Sequence, residues 1–254
     1  MMKFKKIILI LLCCLAVVAC SKKKEDKLAN LTPEQLYSDG MVNMKKESYS
    51  EAIKYFERIS QEYPYSPLAG SAQLMESYCY YKTSKFEYAI AALDDYISLF
   101  PGDKNVEYAY YLKAICYYDQ IASTKLDQQI TELAKEAFLE LINRFPDSEY
   151  SRDARFKLNL VLDHLAGKEM EIGRFYLKKA EVISAINRFK KVVDEYQTTT
   201  HIEEALYRLS ACYYSLGVKI EAKRYAAVLG SNYPSSKWYK YAYEFLKEEH
   251  APVP

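Results

Sequence analysis

Five segments of this chain repeat one punctuation pattern, and its spacing admits few folds other than a stack of paired helices. They are YPYSPLAGSA from Tyr63, FPGDKNVEYA from Phe100, FPDSEYSRDA from Phe145, YQTTTHIEEA from Tyr196 and YPSSKWYKYA from Tyr233. Each opens on an aromatic, usually followed by proline. A small polar residue stands two further on (Ser66, Asp103, Ser148, Thr199, Ser236), and alanine eight after the proline position. Proline disfavours helix in the residue before it, and Ser, Asp or Thr caps a helix by accepting from an orphan N–H. The pattern therefore predicts that one helix ends at each aromatic and that the polar residue caps the next.

The spacing continues inside the units. A small residue is followed by a ring three later, Ala nine after that and Pro twelve beyond, as in Ser77, Tyr80, Ala89 and Pro101, and in Ser210, Tyr213, Ala222 and Pro234. Gly40, Asn43, Ala52 and Pro64 lack the ring. Gly173, Tyr176, Ala185 and Gln197 lack the proline. Ala114, Tyr117, Ala134 and Pro146 fit with eight residues inserted around 121–130. This is similar to the tetratricopeptide repeat, two antiparallel helices per unit. The resemblance implies an all-α fold, a right-handed superhelical array of five such helix pairs with a C-terminal capping helix.

Two segments depart from the period. Glu149 to Leu165 is extra and runs into the fourth unit, which predicts one long helix from about Glu149 to Lys179, weakened at Gly167 and Gly173. Trp238 to Glu248 is half a unit, as expected of a cap over the apolar end of an array. The expected organisation is a first half at 33–148, a second at 149–248 and a tail at 249–254.

The motif Cys-Tyr-Tyr occurs at Cys79, Cys116 and Cys212. Seven residues before each lies an alanine (Ala72, Ala109, Ala205), and seven helical steps turn about 700°, so both share a face. The reading is a stripe of small residues where helices approach closely, with Cys as a small hydrophobe; the alternative is a disulfide between two of the three, which would leave one unpaired. Metal ligation would need converging ligands such as CxxC or a His pair, and His164, His201 and His250 are scattered. No metal or cofactor is implied.

At the start of the chain, Lys3, Lys5 and Lys6 precede an apolar run from Ile7 to Ala19. Thirteen helical residues span about 20 Å, short of a bilayer core of about 30 Å, so residues 1–19 read as a secretory signal. The run ends Val17-Val18-Ala19-Cys20, which resembles the lipobox of bacterial lipoproteins. That resemblance implies acylation of Cys20, anchoring by three acyl chains, and passage to the outer membrane, since Ser21 rather than Asp follows. Residues 20–32, with Lys22-Lys23-Lys24-Glu25-Asp26-Lys27, read as a solvated tether.

The formal net charge is +1, which gives no electrostatic footprint for nucleic acid. Glu and Asp are plentiful, but no carboxylate pair, Ser/His/Asp order or metal spacing marks an enzyme. Tyrosine is the unusual residue, at 26. On the first helices, Tyr37, Met44, Tyr78, Tyr81, Tyr108, Tyr111, Tyr118, Tyr207 and Tyr214 fall one face away from the packed stripe. In a tetratricopeptide array that face lines a concave groove, and Tyr suits peptide recognition because it offers a large area with few rotors to freeze.

Signal, lipobox, five repeats, the YP-x-S punctuation and the KWY-x-x-A ending together resemble the BamD family of outer-membrane β-barrel assembly lipoproteins. The resemblance implies a periplasmic, lipid-anchored scaffold binding a BamA-type barrel subunit, other lipoproteins of the assembly complex and unfolded outer-membrane proteins. Client contacts would fall on Tyr37, Tyr78, Tyr81, Tyr108, Tyr111 and Tyr118, with few groove aromatics in the fourth and fifth units. Docking to the barrel subunit would fall on the basic stretch with Arg188, Lys190 and Lys191, Arg188 facing a partner carboxylate. The alternative is another periplasmic repeat lipoprotein, in pilus or secretin assembly or cell-division coordination.

Overall fold

The computed structural model describes residues 28–121 and 128–248. Cys20, residues 1–19, most of the tether, the centre of the insertion and the tail lie outside them. The described residues form eleven α-helices: α1 (Pro33–Lys45), α2 (Tyr49–Glu62), α3 (Ala69–Lys82), α4 (Phe86–Leu99), α5 (Val106–Tyr118), α6 (Gln129–Arg144), α7 (Glu149–Lys178), α8 (Val182–Glu195), α9 (Ile202–Ser215), α10 (Lys219–Asn232) and α11 (Lys237–Glu248). From α1 to α10 each packs chiefly on its neighbours in sequence. The pairs α1/α2, α3/α4, α5/α6, α7/α8 and α9/α10 make five units of a superhelical array, and α11 is the cap.

The turns repeat as faithfully as the residues. Within four pairs the helices are joined by three residues, one of them left-handed: Glu47 (φ 57°), Ser84 (57°), Ala180 (59°) and Gly217 (76°). The following N–H then reaches back across the turn, Ser48 to Asn43 O, Lys85 to Tyr80 O, Glu181 to Tyr176 O and Val218 to Tyr213 O, each at 2.9–3.0 Å. That bond satisfies a carbonyl the helix end would otherwise strand. Between pairs, the aromatic of the sequence pattern terminates the second helix with φ from −127° to −135° at Tyr63, Phe100, Phe145, Tyr196 and Tyr233. Tyr196, followed by Gln197, adopts the same conformation, so the turn does not depend on proline.

The capping expectation needs correction. Ser148 Oγ accepts from Tyr150 N at 3.3 Å and Ser236 Oγ from Trp238 N at 3.1 Å, both at helix starts. Ser66 and Asp103 instead cap a turn, accepting from Leu68 N and Asn105 N, and α3 and α5 begin three residues later. Thr199 donates to Tyr196 O at 2.8 Å rather than accepting. A short polar side chain satisfies whichever N–H the turn presents, and here the turn precedes the helix.

Small residues set the packing. Ala72, Ala109, Ala154, Ala205 and Ala242 are all fully buried, as are Ala52, Ala89, Ala134, Ala185 and Ala222. Four residues after three of the latter, Phe56, Phe138 and Phe189 are fully buried too. A Cβ on Gly40 would stand 2.7 Å from the ring of Phe56, and one on Gly173 2.4 Å from that of Phe189. Gly173 is therefore a notch for a ring, and α7 runs unbroken through it and Gly167 for 30 residues. Ala154 marks one first-helix position on α7 and Gly173 the next. They stand fourteen residues further apart than Ala72 and Ser77, about four turns, which keeps the two packing faces nearly aligned.

Cys79 and Cys116 are fully buried and Cys212 nearly so, each a free thiol beside its alanine. Burial pushes Cys79 and Cys116 up to about 12 and Cys212 to about 11, so all three stay protonated. Of the paired tyrosines, Tyr80 stacks on Tyr88 and Tyr213 on Tyr225, each within its own unit. Cys-Tyr-Tyr is an element of packing.

Candidate functional site

Residues three apart on a helix share a face, and Tyr78/Tyr81 on α3 and Tyr108/Tyr111 on α5 use this to build one aromatic wall. Tyr78 and Tyr81 have ring centroids 6.3 Å apart. Tyr108 and Tyr111 lie 5.5 and 5.2 Å from Tyr150 at the start of α7. Tyr49 of α2 extends the wall, 6.3 Å from Tyr78. The wall thus spans the first three units and ends on Tyr150 at the start of the fourth.

Its polar tips are fixed. Tyr81 Oη donates to Asp119 Oδ2 at 2.8 Å and Tyr111 Oη to Asp153 Oδ2 at 2.7 Å. Burial, then the bond to Asp119, raises Tyr81 to about 12; burial also raises Tyr108 and Tyr111. Asp153 is held below the usual carboxylate range by hydrogen bonds from Lys157 and Tyr111. At neutral pH Tyr81, Tyr108, Tyr111 and Tyr150 therefore present neutral rings, two of them anchored on carboxylates. The hydroxyl bonds of Tyr81 and Tyr111 orient their rings, and the wall rings are partly exposed.

The other expected groove residues sit elsewhere. Tyr37 packs edge-on against Phe56 at 5.7 Å, and Tyr118 edge-on against Phe138 at 5.9 Å, both within their own pair. Tyr207 and Tyr214 are roofed by the cap: Tyr207 lies 5.2 Å from Trp238, and Tyr214 5.2 Å from Phe245. The cap thus adds aromatics of its own beside the fifth unit, Trp238, Tyr241 and Phe245 of α11. Tyr49 escaped the sequence reading because it opens a second helix, and Tyr150 because it stands four residues before Ala154, ahead of the positions read as groove-facing on the other first helices.

Beyond the tyrosines the surface becomes charged. A cleft of about 630 Å³ lies along α7, walled by Leu160 and Phe175 and edged by His164, Arg174 and His201. Arg174 and Arg208 share Glu204, at 3.3 and 3.2 Å. On α8, Arg188 Nη1 and Lys191 Nζ approach the two oxygens of Glu169 at 3.0 and 2.8 Å. Glu169 projects from α7 and is 7% exposed, so this carboxylate draws both cations onto the helix pair. The Arg188 side chain keeps 40% of its exposure, and Lys190 is exposed. Among the described residues no group of three or more His, Cys, Asp and Glu could hold a metal ion, and no helix is long and apolar enough to cross a membrane.

A family model, YfiO, described as "Outer membrane lipoprotein", matches residues 29–229. The outer membrane protein assembly factor BamD of Rickettsia prowazekii is 46% identical over 212 residues, 84% of either chain. That of Caulobacter vibrioides is 44% identical over 215 residues, 85% of this chain and 70% of the relative. That of Neisseria meningitidis serogroup A is 33% identical over 233 residues, 86% of this chain and 87% of the relative. The matched span takes in all five helix pairs except the end of α10, and the array, the tyrosine wall and the Glu169 cluster all lie within it. This chain therefore belongs to the YfiO family of outer membrane lipoproteins, the family of the assembly factor BamD.

Proposed function

We propose that this chain is a lipid-anchored periplasmic scaffold of outer-membrane protein assembly, acylated at Cys20. It binds unfolded outer-membrane proteins through the tyrosine wall of its first three units and a BamA-type barrel subunit through the basic face of α8 around Arg188, Lys190 and Lys191. It works by binding and not by catalysis. The observation that carries the client reading is the continuity of Tyr78, Tyr81, Tyr108, Tyr111 and Tyr150 along one wall. An extended strand repeats its side chains on one face every two residues, and a run of rings with fixed tips accepts apolar side chains at successive positions. The BamD relatives support the setting.

The test is a fluorescence-anisotropy titration with a labelled peptide from the last strand of an outer-membrane β-barrel. Tyr78→Ala, Tyr81→Ala and Tyr108→Ala together should weaken binding at least tenfold with an unchanged helical signal. Binding equal to wild type would move the client site off this wall. For the anchor, metabolic labelling with palmitate should mark wild type and not Cys20→Ala; an unlabelled wild type overturns acylation at Cys20.

A further inference from the structure

In unit five the second helix shields the first. Ile202, Leu206 and Leu209 of α9 are at most 7% exposed, beneath α10 and α8. Around the fully buried Ala242 the same frame continues on α11. Measured from Ala205 and Ala242, the equivalents of Ile202, Leu206 and Leu209 are Tyr239, Tyr243 and Leu246. No second helix follows α11 among the described residues, and Tyr243 is 55% exposed.

The cap also leans away from its predecessor. Elsewhere in the array a first helix rests mainly on the second helix of the preceding unit, whereas α11 rests more on α9 than on α10. Trp238, Tyr241 and Phe245 draw it there through Tyr207 and Tyr214. The helices α10 and α11 touch closely at one end, where the ring of Tyr239 fills the notch of Gly230. From that point they diverge. The gap is a groove of about 380 Å³ floored by Ala226, Tyr239, Tyr243 and Leu246, with Lys223 and Lys247 among its lining and no carboxylate in it.

We propose that this groove receives an amphipathic helix of a partner protein, with aliphatic residues on one face and carboxylates beside it, completing a sixth helix pair. Repeat geometry fixes the shape: the occupant stands to α11 as α10 stands to α9, and the twelve residues of α11 offer about 18 Å, three helical turns. Charge fixes the chemistry. Lys223 and Lys247 favour an acidic flank and disfavour a second copy of this face, which would bring like charges together.

The probe is a fluorescein-labelled helical peptide of about fourteen residues with a leucine face and glutamate flanks, titrated against the full chain. Its lysine-flanked counterpart is the control. The acidic peptide should bind at least tenfold more tightly than the basic one. Leu246→Lys should weaken it at least tenfold, and Tyr243→Glu, at a position already exposed, should do the same if the first variant folds poorly. Lys223→Glu with Lys247→Glu should reverse the preference. Equal binding of both peptides, or binding unchanged in Tyr243→Glu, overturns the proposal. So does a dimer in sedimentation that Leu246→Lys dissociates, which would assign the groove to a second copy. None of the groove residues belongs to the client wall, which ends at Tyr150 at the start of α7, so barrel-peptide binding should be unaffected by these variants.

Discussion

Arg188 Nη1 stands 3.0 Å from Glu169 Oε2, so the cation proposed for docking is also half of an ion pair within the array. Glu169 is buried, and removing a partner from a buried ion pair strands the remaining charge. Lys191 keeps one oxygen of Glu169 satisfied. Arg188→Ala should therefore cost about 1–2 kcal/mol of stability, and Glu169→Ala less than Arg188 and Lys191 lost together. Urea denaturation of the isolated chain measures this. For docking, Lys190→Glu is the cleaner probe because its side chain is exposed: it should reduce co-purification with a BamA-type subunit without moving the urea midpoint. Unchanged stability in Arg188→Ala would mean that the pair with Glu169 contributes nothing.

The buried thiols should behave as packing. Cys79, Cys116 and Cys212 should react with maleimide far more slowly than an exposed thiol, because each is both shielded and protonated at neutral pH. Each Cys→Ala should cost about 1 kcal/mol. Rapid labelling of the native chain would contradict this.

Gly173→Ala should be among the most damaging single substitutions in the fold. Its Cβ would meet the ring of Phe189 at 2.4 Å, and Phe189 is fully buried with nowhere to withdraw. Overpacking of this kind costs about 1–3 kcal/mol. The double variant Gly173→Ala with Phe189→Leu should recover part of the loss, measured by thermal unfolding.

The turns point the other way. Ala180 closes the α7/α8 turn at φ 59°, a region that carries a penalty for any residue with a Cβ. Gly217 occupies the same place one unit later. Ala180→Gly should therefore raise stability slightly, by about 0.5 kcal/mol after the greater entropy of glycine in the unfolded chain is counted. A lowered urea midpoint would show that the unfolded-state term dominates.

Glu76 gives a pH dependence. Burial first, then the charge of Glu57, raise it from the usual 4.5 to about 7, against a hydrogen bond from Ser60. Between those values the native state holds a proton that the unfolded chain releases, so this group's contribution to stability declines as pH rises from about 4.5 to about 7 and is flat above. Glu76→Gln removes the penalty. It should be more stable than wild type at pH 8, by about 1–3 kcal/mol, and the advantage should vanish near pH 4.5. Equal stability of the two at pH 8 would show that Glu76 ionises without cost.

Much of the array was legible in the sequence because its constraints are local. Prolines and aromatics end helices through backbone sterics, and an alanine or glycine at fixed spacing marks where two helices touch; hence the five pairs, the long α7, the cap and the buried cysteines follow from residue order. Tyr78, Tyr81, Tyr108 and Tyr111 were legible for the same reason, since they keep helical register with that stripe. What residue order could not give is the pairing between distant segments. Tyr150 joins Tyr108 and Tyr111, Asp119 and Asp153 hold the hydroxyl tips, and Glu169 draws in Arg188 and Lys191, across 19 to 42 positions of chain. Tyr37 and Tyr118 share the groove frame in sequence, yet they turn onto Phe56 and Phe138, because the neighbouring helix offers each ring a place to pack. Periodicity fixes the face on which a side chain leaves its helix. Which neighbour it then meets is set by the angle at which the next helix arrives, and only the tertiary structure decides that.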